Sequence, residues 1–179
     1  MFRVNVFCRH GGRRKRLAGN TVPNQTLQQP DLLAERDHYR NLTIFTGLLI
    51  APYPVLLRPG VRLIGGFYGP IERILRSMGG KVENLPAVFI GWERYAMTAR
   101  PLVVGSALSP MDEHGFLSFG AHSGATSNAF LEAARDPQRL AIGEISAEMA
   151  CVLGQERHGG NRIHISEIDC VVATDHPLF

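Results

Sequence analysis

Apolar runs alternate with glycine, proline and polar clusters along most of this chain, and their spacing predicts alternating strands and helices. Short runs of β-branched, aromatic or aliphatic residues predict strands, whereas apolar residues three or four positions apart predict helices. The predicted strands are residues 41–47, 61–64, 81–85, 102–108, 116–119, 140–145 and 163–173. The predicted helices are residues 70–78, 89–97 and 126–135, with a further helical stretch around residues 24–33.

The order of these segments predicts the fold class. Strands and helices alternate, which favours an α/β fold with a mainly parallel sheet flanked by helices. The chain has 179 residues, of which 45% are hydrophobic and 20% are charged, so it is long enough for one domain with a substantial core. We therefore expect a single body from residue 17 to residue 179.

The most informative segment is residues 101–120. Residues 102–108 form a continuous apolar run, which is typical of a strand buried on both faces of a parallel sheet. Two acidic residues and a histidine, residues 112–114, follow before Gly115 turns the chain. Because open α/β sheets place ligand sites beyond the carboxyl ends of their strands, these polar residues are predicted to lie at a functional site.

The polar segment and its flanks carry a specific motif: residues 109–120 read Ser-Pro-Met-Asp-Glu-His-Gly-Phe-Leu-Ser-Phe-Gly. This string resembles the Ser-Pro-x-Asp-x-x-Gly-aromatic-x-Ser-hydrophobic-Gly signature of the acetyl-CoA hydrolase/transferase family, which includes the acetate and 4-hydroxybutyrate CoA-transferases. Residues 140–145 and 163–169 also resemble that family. We call residues 109–120 the signature loop.

The resemblance implies a CoA-transferase-type fold and a function in acyl-CoA chemistry, with coenzyme A or acyl-CoA as substrate. It implies the N-terminal half of an acyl-CoA:carboxylate CoA-transferase or acyl-CoA hydrolase in acetate or short-chain acyl-CoA metabolism. The candidates for lining the acyl-CoA cleft are Ser109, Asp112, His114 and Gly115. Members of the family place the glutamate that carries CoA as a thioester in a C-terminal domain. We therefore expect that glutamate outside these residues, no activity from the chain alone, and a partner half or subunit.

Other interpretations of this segment stay open. Asp112 could cap backbone N–H groups and hold an interdomain loop instead of lining a cleft. Ser109 or Ser118 could belong to a Ser/His/Asp triad, although the chain has no G-x-S-x-G nucleophile elbow. The whole chain could also be a non-catalytic module or subunit that binds acyl-CoA or carboxylates, because the deciding glutamate is expected elsewhere.

A glycine-rich turn at residues 65–70 offers a second, weaker candidate site. It precedes a predicted helix, and free N–H groups at such a turn can bind an anion, so Gly66 and Gly69 are candidate anion-binding positions. The turn matches neither of the common phosphate-binding glycine patterns. The alternative is a tight strand-to-helix turn that packs against its neighbours.

The net charge of +3 comes from the N-terminus. Residues 1–30 carry six basic side chains and no acidic one, whereas the other 149 residues carry 13 basic and 16 acidic side chains. Residues 1–16 are therefore expected to form a solvated, disordered tail, and no nucleic-acid partner is expected. A nucleic-acid function of the tail is the alternative, and it would show steeply salt-dependent binding.

Composition argues against several other classes of protein. The three cysteines are odd in number and widely spaced, so neither a disulfide framework nor a zinc site is expected. The histidine spacings match no metal-ligand set, so no metal is expected. No apolar stretch is long enough to span a membrane, and no signal peptide is evident. We expect a reduced, cytoplasmic protein that self-associates through the apolar surface that a partner half would cover.

Overall fold

The computed structural model describes residues 5–10, 13–17, 41–47, 49, 52–86, 89–124, 126–154 and 160–174, and the structural statements below concern these residues. For residues 5–10, 13–17, 89, 90 and 174 only the backbone is described. The strands are β1 (Asn5–His10), β2 (Arg13–Leu17), β3 (Leu42–Thr46), β4 (Val61–Gly65), β5 (Lys81–Asn84), β6 (Val103–Leu108), β7 (Phe116–Ser118), β8 (Leu140–Ser146), β9 (Arg162–His164) and β10 (Cys170–Thr174). The α-helices are α1 (Pro70–Ser77), α2 (Phe89–Ala99) and α3 (Ser127–Arg135).

The chain divides into two compact units, where the sequence predicted one body. The larger unit comprises Met1–Val22 and Glu93–Phe179, and the smaller unit comprises Pro23–Trp92. Each unit has its own cluster of buried apolar side chains, which is the physical basis of the division. The boundary falls within α2, a feature that the continuous helical pattern of that segment does not reveal.

The larger unit is built on a five-stranded sheet in the order β2-β1-β10-β8-β6. β6, β8 and β10 run parallel, with Val104 of β6 opposite Ala141 of β8, so their carboxyl ends lie at the same edge of the sheet. β1 is antiparallel to both β10 and β2. β7 and β9 form a separate antiparallel pair in which Phe116 lies opposite His164.

One face of this sheet is buried against α3. Ala129, Phe130 and Ala133 form the buried stripe of α3, at the spacing that an amphipathic helix requires. The Phe130 ring meets the Phe119 ring edge to face, with 5.4 Å between centroids, which contributes about 0.5–1.5 kcal/mol beyond burial. The buried core of this unit consists of Val104, Leu108, Leu117, Phe119, Phe130, Ala133, Ala141, Ile163, Ile168 and Val171.

The smaller unit contains the parallel sheet β3-β4-β5 and helix α1. Leu63 in the central strand is buried, and Leu75 of α1 belongs to the same core. Phe45 stacks on Trp92 with 4.4 Å between ring centroids and 10° between ring planes. The buried core of this unit consists of Leu49, Tyr53, Val55, Leu56, Val61, Leu63, Leu75 and Val82.

The predicted α/β class, with mainly parallel sheets flanked by helices, is confirmed. Every strand predicted between residues 41 and 145 is present, with ends displaced by three residues or fewer. The strand-like segments predicted within residues 163–173 correspond to β9 and β10, and a short 3-10 helix at Ile165–Glu167 separates them. The helical stretch expected around residues 24–33 lies outside the described residues.

The N-terminal residues differ from the expected disordered tail. Backbone pairing places Asn5–His10 and Arg13–Leu17 in a hairpin, and β1 pairs with β10 from Asn5 opposite Ala173 to Cys8 opposite Cys170. The basic run Arg13–Leu17 carries no local strand signal, but pairing with a strand of the central sheet overrides local propensity. This corrects the expectation for the paired residues, and residues 1–4 and 11–12 lie outside the described part.

The cysteines also differ from the expectation. Cys170, in β10, is disulfide-bonded, whereas the sequence spacing argued against disulfides. The backbone register places Cys8 opposite Cys170 in the neighbouring strand. Spacing along the sequence could not show this, because strand pairing brings together residues at opposite ends of the chain. Cys151 is a free, exposed thiol.

Candidate functional site

Residues 109–115 of the signature loop join β6 to β7 at the carboxyl end of the parallel strands of the larger unit. β6 ends in the fully buried Leu108, Ser109 after it is also buried, and the chain becomes exposed at Pro110. This is the position at which open α/β sheets bind ligands. The structure places Ser109, Asp112, His114 and Gly115 on one loop, and their role in lining an acyl-CoA cleft stays a prediction.

Asp112 organises the turn at the tip of the signature loop. Its Oδ1 accepts hydrogen bonds from the backbone N–H groups of His114, at 2.9 Å, and Phe116, at 2.8 Å. Its own N–H donates to the Phe116 carbonyl at 2.8 Å, and Gly115 N–H donates to the Asp112 carbonyl at 3.1 Å. The Phe116 N–H, followed by the His114 N–H and attraction to His114 and Arg162, lowers the pKa of Asp112 below its usual value. The carboxylate is therefore ionised at neutral pH and acts as a cap.

Two serines close the base of the signature loop. Ser109 N–H donates to the Ser118 carbonyl at 2.8 Å, and Ser118 N–H donates to Ser109 Oγ at 2.9 Å. Ser109 Oγ donates in turn to the Pro110 carbonyl at 2.9 Å. Both serines are buried, and within the described residues neither hydroxyl has a histidine among its hydrogen-bond partners. The geometry therefore gives the Ser/His/Asp triad interpretation no support.

The Ser118 hydroxyl ties the signature loop to a distant segment. Its Oγ donates to the Val152 carbonyl at 2.7 Å and accepts from the N–H groups of Val152, at 2.9 Å, and Gly120, at 3.1 Å. Asn161 Nδ2 donates to the same Val152 carbonyl at 3.1 Å, while the Asn161 carbonyl accepts from Phe119 N–H at 3.0 Å. Sequence reasoning missed Val152 because it lies 34 residues from Ser118, and it missed Asn161, which bonds the same Val152 carbonyl.

Gly115 lies directly against a second residue that sequence reasoning missed, His164. The φ of Gly115 is +85°, and a Cβ atom there would lie 2.6 Å from His164 Nε2. The Gly115 carbonyl accepts a hydrogen bond from Ile165 N–H at 2.9 Å. Next to it, the Phe116 ring packs edge to face on His164, and the Arg162 guanidinium lies 4.5 Å above the Phe116 ring centroid. Glycine is thus required here by both conformation and space.

Several side chains around the loop point to solvent. The His114 side chain is 73% exposed, and its Nε2 lies 3.5 Å from Glu113 Oε1. Met111 in the loop is exposed, as are Val152 and Leu153 in the segment tied to Ser118. Exposed apolar side chains beside a polar loop are typical of a surface that contacts a ligand or another protein.

In the glycine turn of the smaller unit, acceptors of the chain itself already bond the N–H groups of Gly66 and Gly69. Gly66 N–H donates to the Thr46 carbonyl at 3.0 Å, and Gly69 N–H donates to Glu72 Oε2 at 2.9 Å. Glu72 is buried, so its carboxylate already occupies the N-terminus of α1. A Cβ atom at Gly66 would lie 2.7 Å from the Trp92 ring. The amides of Gly66 and Gly69 are therefore not free for an anion, which corrects the anion-binding interpretation and favours a packed turn.

His122 follows the signature loop in a short 3-10 helix, Gly120–His122. Its Nδ1 lies 3.5 Å from Oγ of the buried Ser106 in β6. Burial lowers the pKa of His122 below its ordinary value, because the charged imidazolium loses hydration. The folded protein therefore favours the neutral form of this side chain.

We predict that this histidine makes the protein less stable in mild acid. The unfolded chain binds the His122 proton more readily, so stability is present above the ordinary histidine pKa of about 6.5 and falls as the pH drops below it. Urea denaturation followed by far-UV circular dichroism should show a larger loss between about pH 7.5 and 5.5 in the wild type than in His122→Gln. Equal losses in both proteins would contradict the assignment.

Two general features of the described residues bear on function. No helix among them is long and apolar enough to cross a membrane. Within the same residues, no group of three or more histidine, cysteine, aspartate or glutamate side chains is arranged to hold a metal ion.

Comparisons with known proteins identify the fold. No protein-family model matches the chain, and no curated protein matches it in sequence. The crystal structure of RipA from Yersinia pestis matches with a TM-score of 0.59 and 23% identity, over 82% of this chain and 42% of that one. The crystal structure of 4-hydroxybutyrate CoA-transferase from Porphyromonas gingivalis matches with a TM-score of 0.53 and 17% identity, over 84% of this chain and 39% of that one.

This chain has a CoA-transferase-like fold. The resemblance that the signature loop suggested is thereby supported at the level of the fold. The chain spans about two-fifths of the length of these solved structures. The activity, substrates and partners of a whole CoA-transferase are therefore matters for proposal.

Proposed function

We propose that this chain is the N-terminal half of an acyl-CoA:carboxylate CoA-transferase or acyl-CoA hydrolase acting on short acyl groups, and that it forms one wall of the acyl-CoA cleft. One observation carries the proposal: a signature loop of the acetyl-CoA hydrolase/transferase type lies at the carboxyl end of parallel strands in a CoA-transferase-like fold. The ligands of the proposed site are coenzyme A, acyl-CoA and short carboxylates.

The residues of the loop divide between two roles. Ser109 and Asp112 hold the loop through hydrogen bonds to its own backbone. His114 and the backbone around Gly115 form the part that meets the acyl-CoA, because the His114 side chain extends into solvent beside the turn. Asp112 therefore supports the cleft wall through the loop, which combines the two interpretations that the sequence left open.

The nucleophile of the proposed reaction belongs to a partner half or subunit. A carboxylate is a weak nucleophile in water and needs a dry site with donors for the developing oxyanion. The Glu113 side chain is 88% exposed and has no such environment. Glu144, Glu148 and Glu167 do not occupy the motif of the family's glutamate either. We therefore assign no catalytic residue within the chain.

An apolar strip in the larger unit supports the need for a partner. Leu102 and Val103, at the start of β6, are 72% and 52% exposed, and Leu140 opposite Val103 in β8 is 46% exposed. Such an exposed group of large apolar side chains is typical of a surface that another protein covers. In the proposal the partner half covers it, and in isolation the chain self-associates through it.

The first test is ligand binding by the chain itself. Addition of acetyl-CoA to the ¹⁵N-labelled protein should shift the amide signals of residues 109–120, because the loop lines the cleft. The signals of Gly66 and Gly69 serve as the control, since their N–H groups are already bonded within the chain. Acetyl-CoA that shifts no signal in the signature loop would overturn the cleft assignment.

The second test is turnover. We expect no thiol release from acetyl-CoA by the purified chain, with or without acetate or propionate as acceptor, because the family resemblance places the thioester-forming glutamate in a C-terminal domain, outside these residues. Mixing with the C-terminal part of 4-hydroxybutyrate CoA-transferase from Porphyromonas gingivalis should produce acceptor-dependent release. Turnover by the chain alone would place a nucleophile among its own residues. If acetyl-CoA binds at the signature loop but the mixture shows no turnover, the alternative of a non-catalytic binding module is favoured.

A further inference from the structure

His164 stands between the signature loop and the 3-10 helix that follows β9. On one side, its Nδ1 lies 2.7 Å from Ser166 Oγ and 3.3 Å from the Ser166 backbone nitrogen. On the other side, its Nε2 lies where a side chain at Gly115 would be. Ser166 therefore bonds the imidazole at Nδ1, and the loop backbone at Gly115 lies against Nε2.

These contacts determine the tautomer of His164. The Ser166 backbone N–H can only donate, so Nδ1 must carry a lone pair and act as the acceptor. A neutral imidazole has one N–H, and it must then lie on Nε2, the nitrogen beside Gly115. The Ser166 hydroxyl donates to the same Nδ1 and fixes the rotation of the ring.

The loop contacts the His164 ring at two points and the backbone of the next residue at a third. The Gly115 backbone leaves the space that the imidazole occupies. The Gly115 carbonyl accepts from Ile165 N–H at 2.9 Å, directly next to His164 in the chain. Phe116, opposite His164 in the β7–β9 pair, packs edge to face on the ring with 5.1 Å between centroids. A shift of the ring would therefore move Gly115 and Phe116, and the Phe116 N–H is one of the two groups that Asp112 Oδ1 caps.

We propose that His164 is the positioning residue of the signature loop, with Nδ1 as the acceptor from Ser166 and the ring N–H on Nε2. Ser166 orients the ring, and the ring sets the conformation of residues 112–116. The importance of this for acyl-CoA rests on the proposed function. The role of His164 in setting the conformation of residues 112–116 is independent of the proposed function, so it is tested without acyl-CoA and without a turnover assay.

The test uses nuclear magnetic resonance of the full-length chain. Long-range ¹H–¹⁵N spectra of the imidazole should show a protonated Nε2 and an unprotonated Nδ1 for His164. In His164→Ala, backbone order parameters of residues 112–116 should fall from about 0.85 toward 0.6 or below. His164→Asn keeps an acceptor for Ser166 N–H but removes the ring, so residues 112–116 should loosen while Ile165–Glu167 stays ordered.

His114→Ala is the matched control, because His114 lies in the same loop but its side chain is mostly exposed. It should leave the order parameters of residues 115 and 116 unchanged. A hydrogen on Nδ1 of His164 in the wild type would overturn the proposal. Unchanged order parameters in His164→Asn would overturn it too. The tautomer spectrum needs no variant, so a poorly folded variant does not remove the test.

Discussion

Replacing Ser118 with alanine is expected to lower the free energy of unfolding of the larger unit by about 2–4 kcal/mol, the largest stability effect that we predict for one loop residue. The hydroxyl makes three hydrogen bonds from a buried position, to both backbone groups of Val152 and to Gly120 N–H. Alanine leaves the N–H groups of Val152 and Gly120 without that acceptor, while the Val152 carbonyl keeps its bond from Asn161 Nδ2. Each buried group left unpaired costs about 1–3 kcal/mol. Because Val152 is partly exposed, water can hydrogen-bond to its freed backbone group and offset part of this cost.

The measurement is native-state hydrogen exchange of the amides in β6 and β8, which reports on the larger unit alone. Fluorescence is unsuited, because the single tryptophan, Trp92, lies in the smaller unit. Ser123→Ala is the matched control, since its hydroxyl makes one hydrogen bond, to the Gly120 carbonyl at 2.9 Å. That variant should cost about 0.5–1.5 kcal/mol. Equal costs for the two serines would show that Ser118 does not tie the loop to Val152.

The fold was largely predictable from local pattern, and the reason lies in the strands. The apolar run Val103–Leu108 and the mixed run Leu140–Ser146 form parallel strands, as their pattern predicted. The expected burial of the first run on both faces is wrong, because β6 is an edge strand of its sheet and Val103 is exposed. Helix α3 was equally clear, since its buried residues recur at helical spacing. Local pattern and final structure agree wherever an element buries its own apolar side chains.

The features that the sequence did not reveal depend on pairing between distant segments. The strand Arg13–Leu17 is basic throughout its first four residues, and its structure comes from the neighbouring strand β1. The disulfide bond at Cys170 likewise follows from strand register. The division into two units depends on which side chains cluster in space, which no run of residues records.

The candidate site shows the same distinction. The motif predicted that Asp112 caps N–H groups or lines a cleft, because its partners His114 and Phe116 are two and four residues away. His164 could not be predicted, since it reaches Gly115 only through the β7–β9 pairing. Glu72 did leave a signal that was missed: a glutamate three residues after Gly69 is the position from which a side chain caps a helix.

Asp112→Ala is expected to reduce turnover in the reconstituted mixture about 10- to 100-fold, whereas Asp112→Asn should stay within about threefold of the wild type. The reason is the geometry of the cap. A single atom, Oδ1, accepts from both His114 N–H and Phe116 N–H, and asparagine retains that atom while alanine removes it. Without the cap, the turn that carries His114 and Gly115 loses its fixed position, and a displacement of about 1 Å can cost a hundredfold in rate.

The comparison of the two variants separates the roles of Asp112. If the carboxylate only holds the loop, its negative charge is dispensable and Asp112→Asn behaves like the wild type. If the charge itself contacts the substrate, Asp112→Asn loses as much activity as Asp112→Ala, and the capping assignment is wrong. The affinity of the chain alone for acetyl-CoA, measured from the loop amide shifts, provides the same comparison independently of the partner. Because the low pKa keeps Asp112 ionised at neutral pH, the wild-type reference carries one charge state throughout.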